Sequence, residues 1–172
     1  MQDHPNHTSS AFSRRQFIKS STLIAASAAA VASFPSVLRG QGKQPINAVI
    51  IGLGGRGSGA GQDFMEAAKA VGAEGKIVAV ADIFPNAAKR GAQLFGVPDD
   101  KCFSGFDAYQ KALAVPGVNY TILATPPGFR ASHFKAAIEA GKHVFMEKPV
   151  AVDGPGCRVM YAAAEQAKAK NL

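Results

Sequence analysis

Three glycines early in the chain have the residue type and spacing to hold a phosphate. Gly52, Gly54 and Gly57 fit the pattern G-x-G-x-x-G and directly follow a β-branched apolar run over residues 46–51. In a strand–turn–helix unit, the first glycine permits the tight turn and the second lets a pyrophosphate approach the backbone. The third lets the helix pack closely on the strand. The pattern predicts a dinucleotide site at the end of this strand, with a helix from about Ser58.

Other residues fit the same ligand. Gly55 and Arg56 lie inside the glycine turn, and Arg56 is placed to reach the pyrophosphate, with a solvated loop arginine as the alternative. Asp82 ends the second apolar run, where a carboxylate can bind ribose hydroxyls and would repel a 2′-phosphate. Its alternative is an aspartate that only caps a turn. We assign all three residues to the cofactor site, and Asp82 favours NAD over NADP.

Two short polar stretches follow later apolar runs. Thr125, Pro126 and Pro127 form a stiff loop that can present backbone carbonyls to a cofactor, although an ordinary turn has the same composition. Glu147 and Lys148 follow the last apolar run. A lysine there can polarise a substrate oxygen or relay a proton during hydride transfer, whereas the alternative is a surface charge pair. We assign all five residues to the cofactor site and Lys148 also to catalysis.

Alternating strand and helix patterns position these residues. Strands are predicted over residues 46–51, 76–81, 101–103, 120–124 and 143–146. Helical segments between them predict an α/β fold, a Rossmann-type doubly wound parallel sheet with right-handed crossovers. The carboxyl ends of parallel strands share one edge, so the candidate residues should converge there. The chain stops after a helix, so we expect the fold to lack its last strand or strands and a second domain.

One of the predicted helices runs over residues 106–114. Its pattern predicts that Phe106, Tyr109 and Leu113 face inward. His133 lies near the predicted cofactor edge and either touches the site or packs in the core. His143 lies in the last strand and is predicted to pack in the core or at the sheet edge.

The first 32 residues predict an export signal. Arg14 and Arg15 precede a run without charged residues over 20–34, and residues 30–32 read Ala-Val-Ala, which fits a signal cleavage site. The paired arginines resemble a twin-arginine signal, with an amphipathic surface helix or an uncleaved anchor as alternatives. Residues 33–44 read as a linker and residues 45–172 as one domain. We expect a periplasmic or secreted protein that meets the membrane only through this signal.

The composition limits which classes of partner we expect. The formal net charge is +7, but the basic residues are scattered and there is no tryptophan, so nucleic-acid binding is not expected. No Cys/His cluster has metal-ligand spacing. Cys102 and Cys157 have no spacing that argues for a disulfide, and we expect two buried free thiols.

The combined motifs resemble those of the Gfo/Idh/MocA oxidoreductase family. These motifs are GLGGRG, Asp82, YTILATPP and AGKHVFMEKP, within a match over about residues 46–169. The resemblance implies an N-terminal NAD(P)-binding Rossmann domain. Lys148 matches the family's lysine that acts at the substrate, and the Lys148–Pro149 bond is expected to be cis.

The resemblance also implies an activity. It implies hydride transfer between NAD and a hydroxyl of a sugar or cyclitol, if a C-terminal substrate domain is supplied. That domain, which also carries the usual oligomer interface, has no counterpart among these 172 residues, so oligomerisation is not expected. Two alternatives stay open: an NAD-dependent glycosidase of the same family that oxidises transiently, and a dinucleotide-binding fragment without turnover.

Overall fold

A computed structural model of the protein describes residues 45–172. The predicted export signal and linker, residues 1–44, lie outside the described residues. The described chain forms one sheet of five parallel strands in the order β3-β2-β1-β4-β5. The strands are β1 (Ile46–Ile51), β2 (Gly75–Asp82), β3 (Cys102–Ser104), β4 (Tyr120–Leu123) and β5 (His143–Met146). The predicted doubly wound α/β fold is confirmed.

Within residues 45–172, five α-helices connect and follow the strands. They are α1 (Gly55–Ala70), α2 (Pro85–Phe95), α3 (Ala108–Leu113), α4 (Pro127–Glu139) and α5 (Gly154–Ala169). Helix α1 begins three residues earlier than expected, because the last glycines of the turn already have helical backbone and the Ser58 amide bonds the Gly54 carbonyl at 3.0 Å. No helix among residues 45–172 is long and apolar enough to cross a membrane.

The central strands are buried on both faces. Along β1, Ala48, Val49 and Ile50 have no exposed surface, and successive side chains point to opposite sides of the sheet. Ala48 and Ile50 belong to the core beneath α1 and α2. Val49 and Ile51 belong to the core shared with α3, α4 and α5. This two-sided burial explains the continuous apolar run that the sequence shows.

The glycine turn fixes how close α1 lies to the sheet. Gly52 has a left-handed φ of 95°, and a Cβ on it would lie 2.8 Å from the backbone carbon of Ala124. A Cβ on Gly57 would lie 1.8 Å from the Gly52 carbonyl oxygen. Since only glycine fits at these two positions, the first turn of α1 sits against the strand ends. The order of strands reverses beside it, between β1 and β4.

Two sequence expectations are wrong in detail. Phe106 is 76% exposed instead of facing inward, because the preceding Gly105 (φ 103°) makes a turn whose amide bonds the Asp82 carbonyl. Tyr109 is half-buried and Leu113 is buried, as expected. Cys157 is exposed and Cys102 is half-buried, so they are not the buried thiols that we expected; both are unpaired.

Replacing Gly57 tests the close approach of α1. Gly57→Ala should lower the free energy of unfolding by more than about 2 kcal/mol, because the methyl group overlaps backbone that cannot move freely. Gly59→Ala is the matched control in the same helix, where the added Cβ meets only the Arg56 Nη1 atom at 3.8 Å. It should raise the free energy by about 0.5 kcal/mol. Urea unfolding measures both, and equal effects of the two variants would contradict the packing argument.

Candidate active site

An open cleft of about 910 Å³ lies at the carboxyl edge of the sheet. Most of the site residues predicted from the sequence line it: Gly52, Gly54, Arg56, Asp82, Thr125, Pro126, Pro127, Glu147 and Lys148. Gly55 and Gly57, which were also predicted, do not line the cleft. Gly57 is buried against the strand end, and Gly55 is exposed where α1 begins. The structure therefore brings residues from four strand ends to one surface.

The amino terminus of α1 opens towards this cleft. Its N-cap residue is Gly54, no side chain caps the first amides, and no acidic residue lies in the first turn. A Cβ on Gly54 would meet no protein atom within 4 Å. The first N–H groups of a helix lack partners within the helix, and the helix dipole is positive there. This end is suited to an anion such as phosphate.

Asp82 braces the glycine turn. Its Oδ2 accepts a hydrogen bond from the Leu53 amide at 2.7 Å, and its Oδ1 accepts one from the Phe84 amide at 2.9 Å. The contacts expected of a turn-capping aspartate are therefore present. The carboxylate also lines the cleft and is only partly buried, so a role at a ribose is compatible with them.

Arg56 links the first and last parts of the cleft. Its Nε lies 2.6 Å from Oε1 of Glu147, 91 residues away in sequence. Its Nη1 lies 3.5 Å from the Asp63 carboxylate. The hydrogen bond and charge of Glu147 raise the pKa of the Arg56 guanidinium above its ordinary value. Neither sequence interpretation of Arg56, as a pyrophosphate contact or a solvated loop residue, included this ion pair.

Lys148 follows Glu147 in the sequence and lies at the cleft surface. The Lys148–Pro149 bond is cis, as the resemblance implied. The Lys148 side chain is exposed and lines the cleft. Among the described residues, no ion pair or hydrogen bond engages its Nζ. The amine is thus presented to the cleft.

Sequence reasoning missed Arg130. It lies in the first turn of α4 and is only 3% exposed. Its Nη1 donates to the Glu147 carbonyl at 2.6 Å and to the Pro149 carbonyl, and its Nη2 donates to the Thr125 carbonyl. Burial lowers the pKa of this guanidinium from its ordinary value, while the charge of Glu147 opposes that shift. The only sequence signal was an arginine on a helix that follows the TPP loop.

His133 lies one turn further along α4 and is 8% exposed. Its Nδ1 is 3.3 Å from the Thr125 hydroxyl, and its ring packs against the rings of Tyr109 and Phe129, with centroids at 4.3 and 6.1 Å. Burial lowers its pKa from 6.5 to about 4. It lines the cleft and is also buried against aromatic rings, so the two alternatives from the sequence are combined. His143 is half-buried in β5 and does not line the cleft.

Apolar side chains form much of the remaining cleft wall, and sequence reasoning did not assign them to a site. These are Ile83, Phe84, Phe106, Tyr109 and Phe129, with Arg90 beside them. Phe84 and Phe106 are largely exposed. Their positions directly after β2 and β3 were the available signal. No group of three or more acidic, histidine or cysteine side chains in residues 45–172 could hold a metal ion.

The sheet order and this cleft define a Rossmann-type dinucleotide-binding domain. A family model described as an oxidoreductase family with an NAD-binding Rossmann fold (GFO_IDH_MocA) matches residues 46–171. The chain belongs to this Gfo/Idh/MocA oxidoreductase family and is an NAD-binding oxidoreductase domain.

Individual relatives agree with this assignment. The chain is 35% identical over 124 residues to the inositol 2-dehydrogenase of Gluconacetobacter diazotrophicus, covering 71% of this chain and 35% of that protein. An NAD-binding oxidoreductase from Klebsiella pneumoniae matches with a TM-score of 0.62 and 27% identity, over 73% of this chain and 33% of that one. A levoglucosan dehydrogenase with NADH and L-sorbose matches with a TM-score of 0.58 and 29% identity, over 72% and 32%. The chain spans about a third of the length of these relatives.

Protonation of His133 should destabilise the fold. Its folded pKa, about 4, lies below the value near 6.5 of an unfolded histidine. As the pH falls from 7, the unfolded chain binds the proton first, so the free energy of unfolding falls. The loss should be about 2 kcal/mol between pH 7 and pH 5 and should stop below the folded pKa.

Unfolding of wild type and His133→Gln across this pH range measures the effect. The difference between the two proteins should shrink by the stated amount as the pH falls. His143→Gln is the matched control, since it leaves His133 in place and should keep the loss of stability assigned to His133. The same pH slope for wild type and His133→Gln would show that His133 is not held neutral.

Proposed function

We propose that this chain is the cofactor-binding part of a dehydrogenase that transfers a hydride between NAD and a hydroxyl-bearing carbon of a sugar or cyclitol. The carrying observation is that the glycine turn, Asp82 and Lys148 line a single cleft although they come from three different strand ends. That arrangement places groups suited to phosphate, ribose and a reacting hydroxyl on one surface.

The residues present fit a dinucleotide. The uncapped amides at the start of α1 and the bare backbone of Gly54 and Gly55 would hold the pyrophosphate. Asp82 would hold the adenosine ribose. The Thr125–Pro127 loop and Glu147 would border the nicotinamide end. Arg56 would remain near the phosphates through its place in the first turn of α1.

Lys148 performs the proton chemistry in this proposal. A bound NAD supplies the hydride acceptor. The Lys148 Nζ, presented to the cleft without an internal partner among the described residues, would hydrogen-bond the reacting hydroxyl. It would accept the hydroxyl proton when the carbon is oxidised and return it to the oxygen when the carbonyl is reduced.

Asp82 supports a preference for NAD over NADP. Its carboxylate accepts only backbone amides and contacts no cation among the described residues. Its negative charge is therefore free to repel a 2′-phosphate. Arg90 lines the cleft as well, but within residues 45–172 it makes no ion pair with Asp82.

The substrate class comes from the relatives. The inositol 2-dehydrogenase acts on a cyclitol by its name, and the levoglucosan dehydrogenase was solved with L-sorbose. Because this chain spans about a third of such proteins, the walls that choose among sugars are assigned to the remainder of a complete enzyme. Lys148 and the cofactor cleft are the contribution of this chain.

Two measurements on the protein as its host produces it test the function. Nucleotide fluorescence should show that NADH binds at least about 10-fold more tightly than NADPH. Lys148→Met should keep NADH affinity within about threefold but reduce turnover of a sugar and cyclitol panel at least about 100-fold. Lys135→Met is the control, because Lys135 pairs with Glu139 on the surface of α4. Absent NADH binding, or turnover that survives Lys148→Met, would refute the proposal.

We further propose that residues 1–32 direct twin-arginine export to the periplasm or beyond. The support is the Arg14–Arg15 pair, the following run without charged residues and the Ala-Val-Ala sequence at residues 30–32. Replacing both arginines by lysine should retain the protein with its full N-terminus in the cytoplasm. Wild type and the control Arg39→Lys should be recovered outside it without the first 32 residues. Intact mass and cell fractionation measure this, and equal export of all three proteins would contradict it.

A further inference from the structure

Arg130 is a buried cation whose partners carry no charge. The residue is only 3% exposed, and three backbone carbonyls accept its hydrogen bonds. No carboxylate of the described residues lies within ion-pair distance of it. Its Nε has no hydrogen-bond partner there. Burying a charged group without an oppositely charged partner opposes folding. A contribution to stability therefore does not explain this arrangement.

The three carbonyls belong to two loops of the cleft. Those of Glu147 and Pro149 lie on either side of Lys148, and that of Thr125 begins the TPP loop after β4. A single planar guanidinium thus joins both loops to α4. Only arginine offers several donors in a rigid fork that can reach acceptors on separate segments, whereas lysine is a single flexible point donor.

The contacts hold backbone and leave the reactive side chains free. Arg130 holds the Glu147 carbonyl before Lys148 and the Pro149 carbonyl after it, without a hydrogen bond to the Lys148 Nζ. The Glu147 carboxylate is engaged by Arg56 instead. On the other loop, His133 holds the Thr125 hydroxyl while Arg130 holds the Thr125 carbonyl. Residues of one helix, α4, therefore fix the backbone of both loops.

We propose that Arg130 is a positioning residue: its guanidinium fixes the backbone on both sides of Lys148 relative to the Thr125 loop, so that the Lys148 amine stays directed to the cofactor cleft. The mechanistic consequence rests on the proposed function. The geometric part does not, because it concerns only the placement of one amine. Arg130 acts through Lys148 and touches no reacting atom.

The placement of Lys148 can be read without turnover. Reductive methylation with ¹³C-formaldehyde converts each lysine to a dimethylamine that keeps its charge, and Lys148→Arg identifies the Lys148 signal by its loss. In wild type this signal records the surroundings that the held loop gives the amine at the cleft surface. In Arg130→Met it should shift and narrow relative to wild type, because a loosened loop averages the amine over more surroundings, and in Arg130→Lys it should lie between the two.

Lys142→Met is the matched control. Lys142 donates to the Val118 carbonyl at 2.7 Å, which is also a cation-to-carbonyl bond, but it lies at the opposite edge of the sheet from the cleft. Its loss should leave the Lys148 signal unchanged. A merely structural role for Arg130 would leave the Lys148 signal of the folded variants at its wild-type position, and that result would overturn the proposal.

Kinetics supply the second readout. Arg130→Met should lower kcat about 100-fold, because small errors in the placement of a catalytic group cost this much. NADH affinity should change less than about threefold, since the phosphate and ribose contacts lie on β1 and β2. Arg130→Lys should restore part of kcat. A rise in KM with unchanged kcat would contradict positioning of Lys148.

A third measurement uses the wild-type protein alone, so it does not depend on whether the Arg130 variants fold. The guanidinium protons of Arg130 in wild type should exchange slowly with solvent, because they are buried and bonded. Their exchange at the rate of a free arginine would overturn the proposal even if both substitutions prevent folding. If wild type does not bind NADH, the proposed function is refuted. The Lys148 signal and the exchange rate of the Arg130 protons still test whether Arg130 holds the loop.

Discussion

The contact between Gly57 and the Gly52 carbonyl is the constraint on which the cleft depends. It allows the first turn of α1 to lie against the ends of β1 and β4, at a distance that any side chain would prevent. The open amides of α1 therefore face the point where the strand order reverses. Asp82 reinforces this geometry by accepting the Leu53 amide inside the turn. Backbone packing thus places the open end of α1 at the cleft before any charged side chain contributes.

Local patterns were enough to predict most of the fold. The apolar runs predicted all five strands, most clearly the central ones, which are buried on both faces. The glycine spacing identified the turn because its backbone excludes side chains. Convergence at the carboxyl edge then follows from parallel pairing. Phe106 was placed wrongly because the left-handed Gly105 delays α3 until Ala108. A 3.6-residue pattern does not reveal where a helix begins.

The site contacts that were missed are those with no local signature. Arg56 and Glu147 are 91 residues apart and meet only because β1 and β5 end at the same edge. Arg130 has no complementary charge to look for, since its acceptors are carbonyls that every residue carries. Side-chain types predict chemistry when the partner is also a side chain. They say little when the partner is backbone whose position depends on the whole sheet.

The division of work between the two arginines follows from charge. If Arg130 paired with the Glu147 carboxylate, that ion pair would be buried at a desolvation cost, and Arg56 would lose its partner. Carbonyl acceptors avoid both consequences. The Glu147 carboxylate pairs instead with Arg56. The Arg56 side chain is 55% exposed and the Glu147 side chain is 17% exposed, so this ion pair is in contact with solvent. Arg130 holds the same residue through its backbone, so one short segment is fixed from two sides and the Lys148 amine remains uncommitted.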